Sequence, residues 1–325
     1  MAQDIKLMDN SKDIKLIVID LDGTLLNNKH TVSDRNKTAV KKAIEKGIQV
    51  VVATGKTRFS AVSILEELGI KSPGVFTQGL LIYNGDGTVR NSVVMDKNIL
   101  RRIITFAEDR GFGVIAYSGD RILTRRADEF AEEIEKYGEP APESVGALQN
   151  ILDNTEINKV ILYGQESKIP ALRWQLNKQL NGQIHTTRSA VKGLLEVLPA
   201  NSSKGKAVMR VMKDLNIPPE NTMAIGDGEN DIEMLQAVGT SVAMGNASQK
   251  LKDVASQVVG SNEEDGVAQA IEMFAIGKIE DEKPTEDKKT DKPAKAKKVD
   301  TPAKKPEAKA TEPKATTDTK DTEEK

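Results

Sequence analysis

Aliphatic runs alternate with amphipathic stretches near the beginning of the chain and again after residue 200. In the first block, this pattern predicts strands over 16–20 and 48–53, each followed by a helix. Ser33 is a good cap for the first helix, and Gly69 is a good end for the second. In the later block, the pattern predicts helices over 203–215, 231–237 and 267–274, and strands over 222–225 and 241–244. Such alternation is typical of a doubly wound, Rossmann-like α/β domain with a parallel sheet.

The middle of the chain has a different pattern and is expected to form a smaller α/β unit inserted into the first domain. Strands over 80–83 and 88–94 flank the sequence Asn-Gly-Asp-Gly, which favours a hairpin turn. The other predicted elements are helices over 97–110, 128–136 and 168–180, and strands over 112–117, 159–163, 183–187 and 194–198. Trp174 lies on one of these helices, where we expect it to pack rather than to bind a ligand.

The predicted organisation has four parts. They are a flexible N-terminus (1–12), a discontinuous core domain (13–84 and 194–276), an inserted α/β domain (85–193) and a charged tail (277–325). The tail has almost no aliphatic side chain larger than alanine, so it cannot offset its chain entropy by burial and is expected to be disordered. Its basic stretch KPAKAKK is interspersed with acidic residues, which disfavours nucleic-acid binding. The tail remains a candidate contact for unidentified partners.

Composition narrows the possible chemistry. A net charge of −2 over 325 residues predicts neither a nucleic-acid nor a membrane partner. The absence of cysteine excludes disulfides, a thiol nucleophile and cysteine-bound zinc. With only two histidines, His30 and His185, a histidine-based metal site or triad is disfavoured, and both are expected to be surface or core residues. Any metal would therefore have oxygen ligands, which suit Mg²⁺, Mn²⁺ or Ca²⁺.

The beginning of the chain resembles neither a secretory signal nor a transit peptide, and no apolar run reaches about 18 residues. A cytoplasmic location is therefore the default expectation, and a chloroplast location is compatible with the sequence.

Polar residues gather where the predicted parallel strands end, which is the edge at which such sheets bind ligands. They are Asp20 and Asp22 after the first strand, Thr54 and Gly55 after the second, Asp227, Asn230 and Asp231 after strand 222–225, and Lys204 at the start of the preceding helix. No Walker A motif is present and no complete GxGxxG follows a strand, so a nucleotide-binding loop is excluded.

The two aspartates at i and i+2 raise an electrostatic question. Gly23 permits a turn that brings both into one pocket, where they need either a positive charge or a proton. One reading is an ordinary turn capped by aspartate. In the other, Asp20, Asp22 and Asp227 hold one Mg²⁺ and Lys204 adds further positive charge. The Thr54 hydroxyl and the amides beside Gly55 would then suit a phosphate dianion.

Four motifs resemble those of the haloacid dehalogenase superfamily, and specifically its Cof-type (subclass IIB) phosphatases. They are DLDGT at 20–24, ATG with Thr54, SKG at 203–205 and GDGEND at 226–231, and the insertion resembles the α/β cap of that group. The resemblance covers residues 13–276 and leaves out the tail. Two positions depart from the pattern: Lys56 stands where many relatives have Arg, and Gln78-Gly79 stands where they have Asn-Gly.

The resemblance implies a mechanism in two steps. Asp20 would attack phosphorus and form an aspartyl-phosphate, while Asp22 would protonate the leaving alcohol and then deprotonate the hydrolytic water. Thr54 and Lys204 would hold phosphate oxygens. Because a halide leaves without a proton, the presence of Asp22 favours phosphate chemistry over dehalogenation.

The resemblance also implies a ligand set. Mg²⁺ would be held by the Asp20 side chain, the Asp22 carbonyl and Asp227, Asn230 would touch the phosphate or the metal shell, and Asp231 would orient Lys204.

The expected function is Mg²⁺-dependent hydrolysis of a small phosphomonoester, such as a sugar phosphate. A phosphomutase of the same superfamily and a non-catalytic binding module are the alternatives. Substrate specificity is expected in cap loops such as residues 117–120, although the sequence does not name the substrate.

Overall fold

The computed structural model describes residues 13–126, 128, 134–188 and 192–277. The predicted flexible N-terminus, most of the predicted helix over 128–136 and all but the first residue of the predicted tail lie outside these residues. The described part of that predicted helix is a short 3₁₀ helix, Ile134–Tyr137.

The strands, in chain order, are β1 (Leu16–Ile19), β2 (Gln49–Val52), β3 (Gly74–Phe76), β4 (Leu81–Tyr83), β5 (Val89–Ser92), β6 (Gly113–Ser118), β7 (Arg121–Thr124), β8 (Glu143–Ser144), β9 (Lys159–Tyr163), β10 (Ile184–Arg188), β11 (Leu194–Pro199), β12 (Thr222–Gly226), β13 (Thr240–Ala243) and β14 (Gln257–Val258). The α-helices are α1 (Asp34–Glu45), α2 (Arg58–Leu68), α3 (Lys97–Glu108), α4 (Ile169–Gln179), α5 (Lys204–Asp214), α6 (Ile232–Gln236), α7 (Gln249–Lys252) and α8 (Gly266–Ile271).

A parallel sheet of five strands carries the predicted α/β core, in the order β14-β13-β12-β1-β2. Side chains of β1 alternate between two packed layers: Ile17 and Ile19 join the cluster that includes α1 and α8, whereas Leu16 and Val18 join the one that includes α5 and α6. Both faces of the strand are therefore buried, which explains its uninterrupted aliphatic sequence. The doubly wound arrangement is confirmed.

Local signals set the helix boundaries as predicted. The Ser33 hydroxyl accepts a hydrogen bond from the Asn36 N–H at the start of α1. Gly69 ends α2 with a φ of 70°, in the left-handed region that glycine adopts without steric cost.

A second, mostly antiparallel sheet contains the middle of the chain, in the order β10-β11-β9-β6-β7-β8. It has a hydrophobic core of its own with α3 and α4, including Ile103, Leu162 and Leu195. The predicted hairpin is confirmed as β4 and β5, which pair antiparallel and continue to β3. The pattern did not predict β3, β7, β8, β14 or α7.

The domain boundaries stay a prediction, but strand pairing favours moving two of them. The boundary between residues 84 and 85 cuts the β4–β5 hairpin. The boundary at residue 194 assigns β11 to the core, whereas β11 pairs with β9 and β10 in the second sheet. We therefore propose that the insertion begins after β5 and ends after β11.

The expected packing role of Trp174 is wrong, because the residue is 64% exposed. Leu172 and Leu176 are the buried residues of this part of α4. Trp174 is two positions from each, which places it on the opposite face of the helix. Lys178 Nζ lies 5.0 Å from the centre of the indole ring.

Among the described residues, no helix combines the length and the apolar character that crossing a lipid bilayer requires.

Candidate active site

A buried lysine joins two of the predicted acidic residues at the edge of the parallel sheet. Lys204, the first residue of α5, donates from Nζ to Asp20 Oδ1 at 2.5 Å and to Asp231 Oδ1 at 2.7 Å. Asp20 follows β1 directly, and its backbone N–H donates to the Ile225 carbonyl of β12. All three side chains are almost completely buried. Asp231 thus contacts Lys204 directly, and its role of orienting the lysine stays a prediction.

Asp231 also fixes the loop that carries Asp227. Its Oδ2 accepts hydrogen bonds from the backbone N–H groups of Asp227, at 3.1 Å, and Gly228, at 2.9 Å. Both carboxylate oxygens of Asp231 therefore have protein partners.

Two neighbouring residues position the Asp227 side chain. The Thr24 hydroxyl donates to Asp227 Oδ1 at 2.8 Å. Gly23 has a φ of 78°, and a Cβ added there would lie 2.4 Å from Asp227 Oδ2. Position 23 therefore requires glycine for two reasons, the positive φ of the turn and the close approach of the Asp227 carboxylate.

The cluster contains more negative than positive charge. Oxygens of Asp20, Asp227 and Asp231 lie within 4.8 Å of one another, and Lys204 is the cation that pairs with this cluster among the described residues. Burial raises the pKa of Asp20 well above its usual value, against the attraction of Lys204. Burial alone would lower the pKa of Lys204, but the two paired carboxylates raise it above its usual value.

The pKa of Asp227 is raised to about 6, and burial is the main cause. Repulsion from Asp231 and Asp22 raises the pKa further, whereas the hydrogen bond from Thr24 and the charge of Lys204 lower it. These desolvated carboxylates fit a divalent cation with oxygen ligands. Since Asp231 already accepts three hydrogen bonds from Lys204, Asp227 and Gly228, Asp20 and Asp227 are the side chains best placed to hold it. The ligand role of the Asp22 carbonyl stays a prediction.

The Asp22 side chain has a different environment from that of Asp20. It is exposed, and its Oδ1 lies 3.4 Å from Lys56 Nζ and 3.7 Å from His30 Nδ1. Lys56 Nζ also donates to the Tyr137 carbonyl at 2.5 Å. Each of the two aspartates therefore has its own lysine partner, which offsets the repulsion between their carboxylates. The sequence pattern did not predict the partner of Asp22.

A cavity of about 510 Å³ opens over these residues. Five of the predicted site residues line it, namely Asp20, Asp22, Gly55, Asp227 and Asn230. Thr54 lies buried behind them at the end of β2, and its hydroxyl accepts a hydrogen bond from the Lys56 N–H at 3.2 Å.

The second sheet supplies part of the cavity wall with residues that the sequence pattern did not indicate. Lys159 and Glu196 form a buried ion pair of 3.0 Å there, beside the aliphatic side chains of Ile161 and Leu194. Gln78 lines the same cavity. A signal for Glu196 was present, because it is the charged residue in the otherwise apolar strand sequence LLEVLP.

Several known proteins are similar to this chain in sequence and in fold. The sequence profile of the haloacid dehalogenase-like hydrolases matches residues 17–271. The phosphatase YwpJ of Bacillus subtilis is 33% identical over 278 residues, which cover 78% of this chain and 98% of that protein. A solved haloacid dehalogenase-like hydrolase of Bacillus subtilis is 30% identical, with a TM-score of 0.72 and coverage of 80% of this chain and 99% of that one.

A longer relative matches over part of its length. The Arabidopsis thaliana protein named chloroplastic endoribonuclease YBEY is 35% identical over 270 residues, which cover 80% of this chain and 46% of that protein. This chain therefore spans about half the length of that relative. The profile match and the relatives similar over nearly their whole length place the chain in the haloacid dehalogenase-like hydrolases, among their Cof-type phosphatases.

Proposed function

We propose that this phosphatase hydrolyses a small phosphomonoester, such as a sugar phosphate, through a phosphoryl group carried transiently on Asp20. The observation that carries the proposal is the position of Asp20, a buried carboxylate held by Lys204 at the edge of a cavity that also reaches Asp22 and Asp227. Carboxylates are an established class of covalent nucleophile toward phosphorus.

In the first step, an Asp20 oxygen bonds to phosphorus, the ester P–O bond breaks, and Asp22 gives its proton to the leaving oxygen. In the second step, Asp22 takes a proton from water, the water oxygen bonds to phosphorus, and the bond to Asp20 breaks. The exposed position of Asp22 supports this role, because both the leaving group and water must reach it.

Lys204 would neutralise charge that develops on the phosphoryl oxygens, while Asp231 positions it. Thr54, Gly55 and Asn230 are proposed to hold phosphate oxygens.

The proposed metal ligands are the side chains of Asp20 and Asp227 and the carbonyl of Asp22. Mg²⁺ bound there would supply positive charge that offsets the repulsion between the phosphate dianion and these carboxylates.

The test is phosphate release from a panel of phosphomonoesters, with and without a chelator, by the full chain and by Asp20→Asn. We expect the chelator to abolish release and the substitution to lower kcat on the order of 10⁴-fold, since the nucleophile is lost. Asp109→Asn, an exposed site at the end of α3, is the matched control and should retain full activity.

Full turnover by Asp20→Asn, or in the presence of chelator, would contradict the mechanism. A bisphosphate requirement with little phosphate release would instead favour a phosphomutase. A cytoplasmic location stays a prediction, with the chloroplast as the alternative.

A further inference from the structure

The Lys159–Glu196 ion pair lies in the cavity wall beside the proposed phosphate site, with side chains only 3% and 8% exposed. A buried ion pair contributes little net stability, because desolvation offsets much of the attraction. Its position in the wall of a ligand-sized cavity is therefore better explained by recognition than by folding.

Lys159 has two of its three donors hydrogen-bonded to protein acceptors. Its Nζ donates to Glu196 Oε2 at 3.0 Å and to the Gly55 carbonyl at 3.3 Å, and it lies 4.5 Å from the centre of the Tyr117 ring. The two hydrogen bonds and the nearby ring fix the position of the ammonium group and leave at most one of its donors for a ligand.

Glu196 has acceptor capacity to spare. Among the described residues, Lys159 donates to its Oε2, and Gln78 Nε2 reaches its Oε1 at 3.5 Å, the outer limit for a hydrogen bond. A carboxylate can accept about four hydrogen bonds. The ion pair therefore offers a ligand in the cavity more acceptor capacity than donor capacity, which favours a ligand group that donates.

The backbone is shaped to bring Gln78 to this position. Thr77, Gln78 and Gly79 have φ values of 53°, 60° and 87°, and such a conformation is unfavourable for a β-branched threonine. The Gln78 Oε1 accepts from Asn230 Nδ2 at 3.0 Å, so Gln78 links the proposed phosphate site to Glu196. A Cβ at Gly55 would lie 2.6 Å from Gln78 Nε2, so a side chain there would displace the Gln78 amide.

We propose that Glu196, held by Lys159 and Gln78, is the specificity-determining residue for the leaving group. It accepts a hydrogen bond from a hydroxyl of an uncharged, polyhydroxylated leaving group and disfavours a leaving group with a second anionic group, which the carboxylate repels. Arg173 also lines the cavity. Its guanidinium group donates to the Thr186 hydroxyl and to the Thr186 carbonyl, and these hydrogen bonds fix its position. This inference rests on the proposed function, because it takes the ester of that reaction as the ligand.

The test measures binding by calorimetry in MgCl₂, with full-length Asp20→Asn as the background so that ligands are not consumed. The probes are glycerol 1-phosphate, sorbitol 6-phosphate and glucose 6-phosphate, with hexyl phosphate as the probe lacking hydroxyls and fructose 1,6-bisphosphate as the comparison ligand with a second phosphate group. We expect at least one hydroxylated monophosphate to bind about ten-fold or more tightly than both comparison ligands, and Glu196→Gln to remove most of that preference. Glu166→Gln, at an exposed site, is the matched control.

A second variant separates recognition from folding. Replacing both partners, Lys159→Met with Glu196→Leu, removes the buried charges together and should keep the thermal midpoint near that of the parent. We expect this variant to lose the preference for hydroxylated ligands. Retention of the preference, or a parent that binds hexyl phosphate as tightly as every hydroxylated probe, would overturn the proposal.

Phosphate release by the unsubstituted chain from the same probes is measured in parallel. Selective binding without any release would refute the proposed function and leave the recognition role standing. Phosphate release without selective binding would support the proposed function and refute the recognition role of Glu196.

Discussion

Gly23 is the residue on which the position of Asp227 depends most directly. Its positive φ turns the chain after Asp22, and the absence of a side chain lets the Asp227 carboxylate approach the turn. The next residue, Thr24, then holds that carboxylate by its hydroxyl. Two adjacent small residues thus set a proposed metal ligand that lies more than 200 positions away in the sequence.

Gly23→Ala is expected to weaken metal binding. The added Cβ would displace the Asp227 carboxylate, and disturbing the support of a metal ligand costs about ten-fold to a hundred-fold in affinity. The measurement is the Mg²⁺ concentration that gives half-maximal phosphate release.

Gly47→Ala is a matched control for this change. Gly47 has a similar φ of 81°, but a Cβ there would meet nothing within 4 Å. Both variants carry the backbone strain of about 1–2 kcal/mol, and only Gly23→Ala should raise the Mg²⁺ requirement. Equal requirements in the two variants would show that Gly23 does not position the ligand.

At the scale of helices and strands, the sequence predicted the elements that are long or strongly periodic. The β1 run and the capped helix α1 are recognisable because burial and capping are local properties of the sequence. Strand β3 has only three residues, and β8 and β14 have two each, so no periodicity can reveal them.

The residues of the candidate site likewise divide into those that the sequence could predict and those that it could not. Asp20, Asp227 and Lys204 could be selected because a parallel sheet brings its strand ends to one edge. Gln78 and Glu196 could not, because their contact spans 118 positions and depends on the approach of the second sheet. The pairing of Lys56 with Asp22 could not be predicted from the sequence either, since the distance between them is a property of the fold.

The Glu139 side chain, in the segment after Tyr137, contacts the start of α2. Glu139 accepts from the Thr57 N–H at 3.2 Å, from the Thr57 hydroxyl at 2.6 Å and from the Ser60 hydroxyl at 2.8 Å. Asp120 accepts from the Phe59 N–H at 3.1 Å. An anion at a helix N-terminus is favoured by the helix dipole, so both contacts stabilise this junction.

Glu139→Gln is expected to loosen this junction without unfolding the protein. Loss of the charge weakens hydrogen bonds that are worth roughly 1.5–3 kcal/mol when charged, which corresponds to about ten-fold faster amide exchange at the start of α2. Hydrogen exchange measured by mass spectrometry provides the readout, and Glu135→Gln, at an exposed site in the same segment, is the control. Unchanged exchange in Glu139→Gln would mean that the junction does not depend on this carboxylate.

For the whole molecule, the site and its support lie within the described residues up to Gly277. The last described elements belong to the core, because α8 buries Val267 and Ile271 against the parallel sheet and Phe274 is also buried. Lys46 Nζ donates to the Ile276 carbonyl at 2.5 Å and connects this end to α1.

Two truncations therefore have opposite expected outcomes. A chain ending at Gly277 should retain its thermal midpoint and its kcat/KM for phosphate release, because no proposed site residue lies beyond Asp231. A chain ending at Asp265 removes α8 and Phe274 from the core and should fail to fold, since losing several buried apolar side chains costs about 2–5 kcal/mol for each large one. Thermal unfolding followed by circular dichroism, together with the phosphate-release assay, measures both. Loss of activity in the chain ending at Gly277, with folding intact, would assign the charged tail a direct part in the reaction.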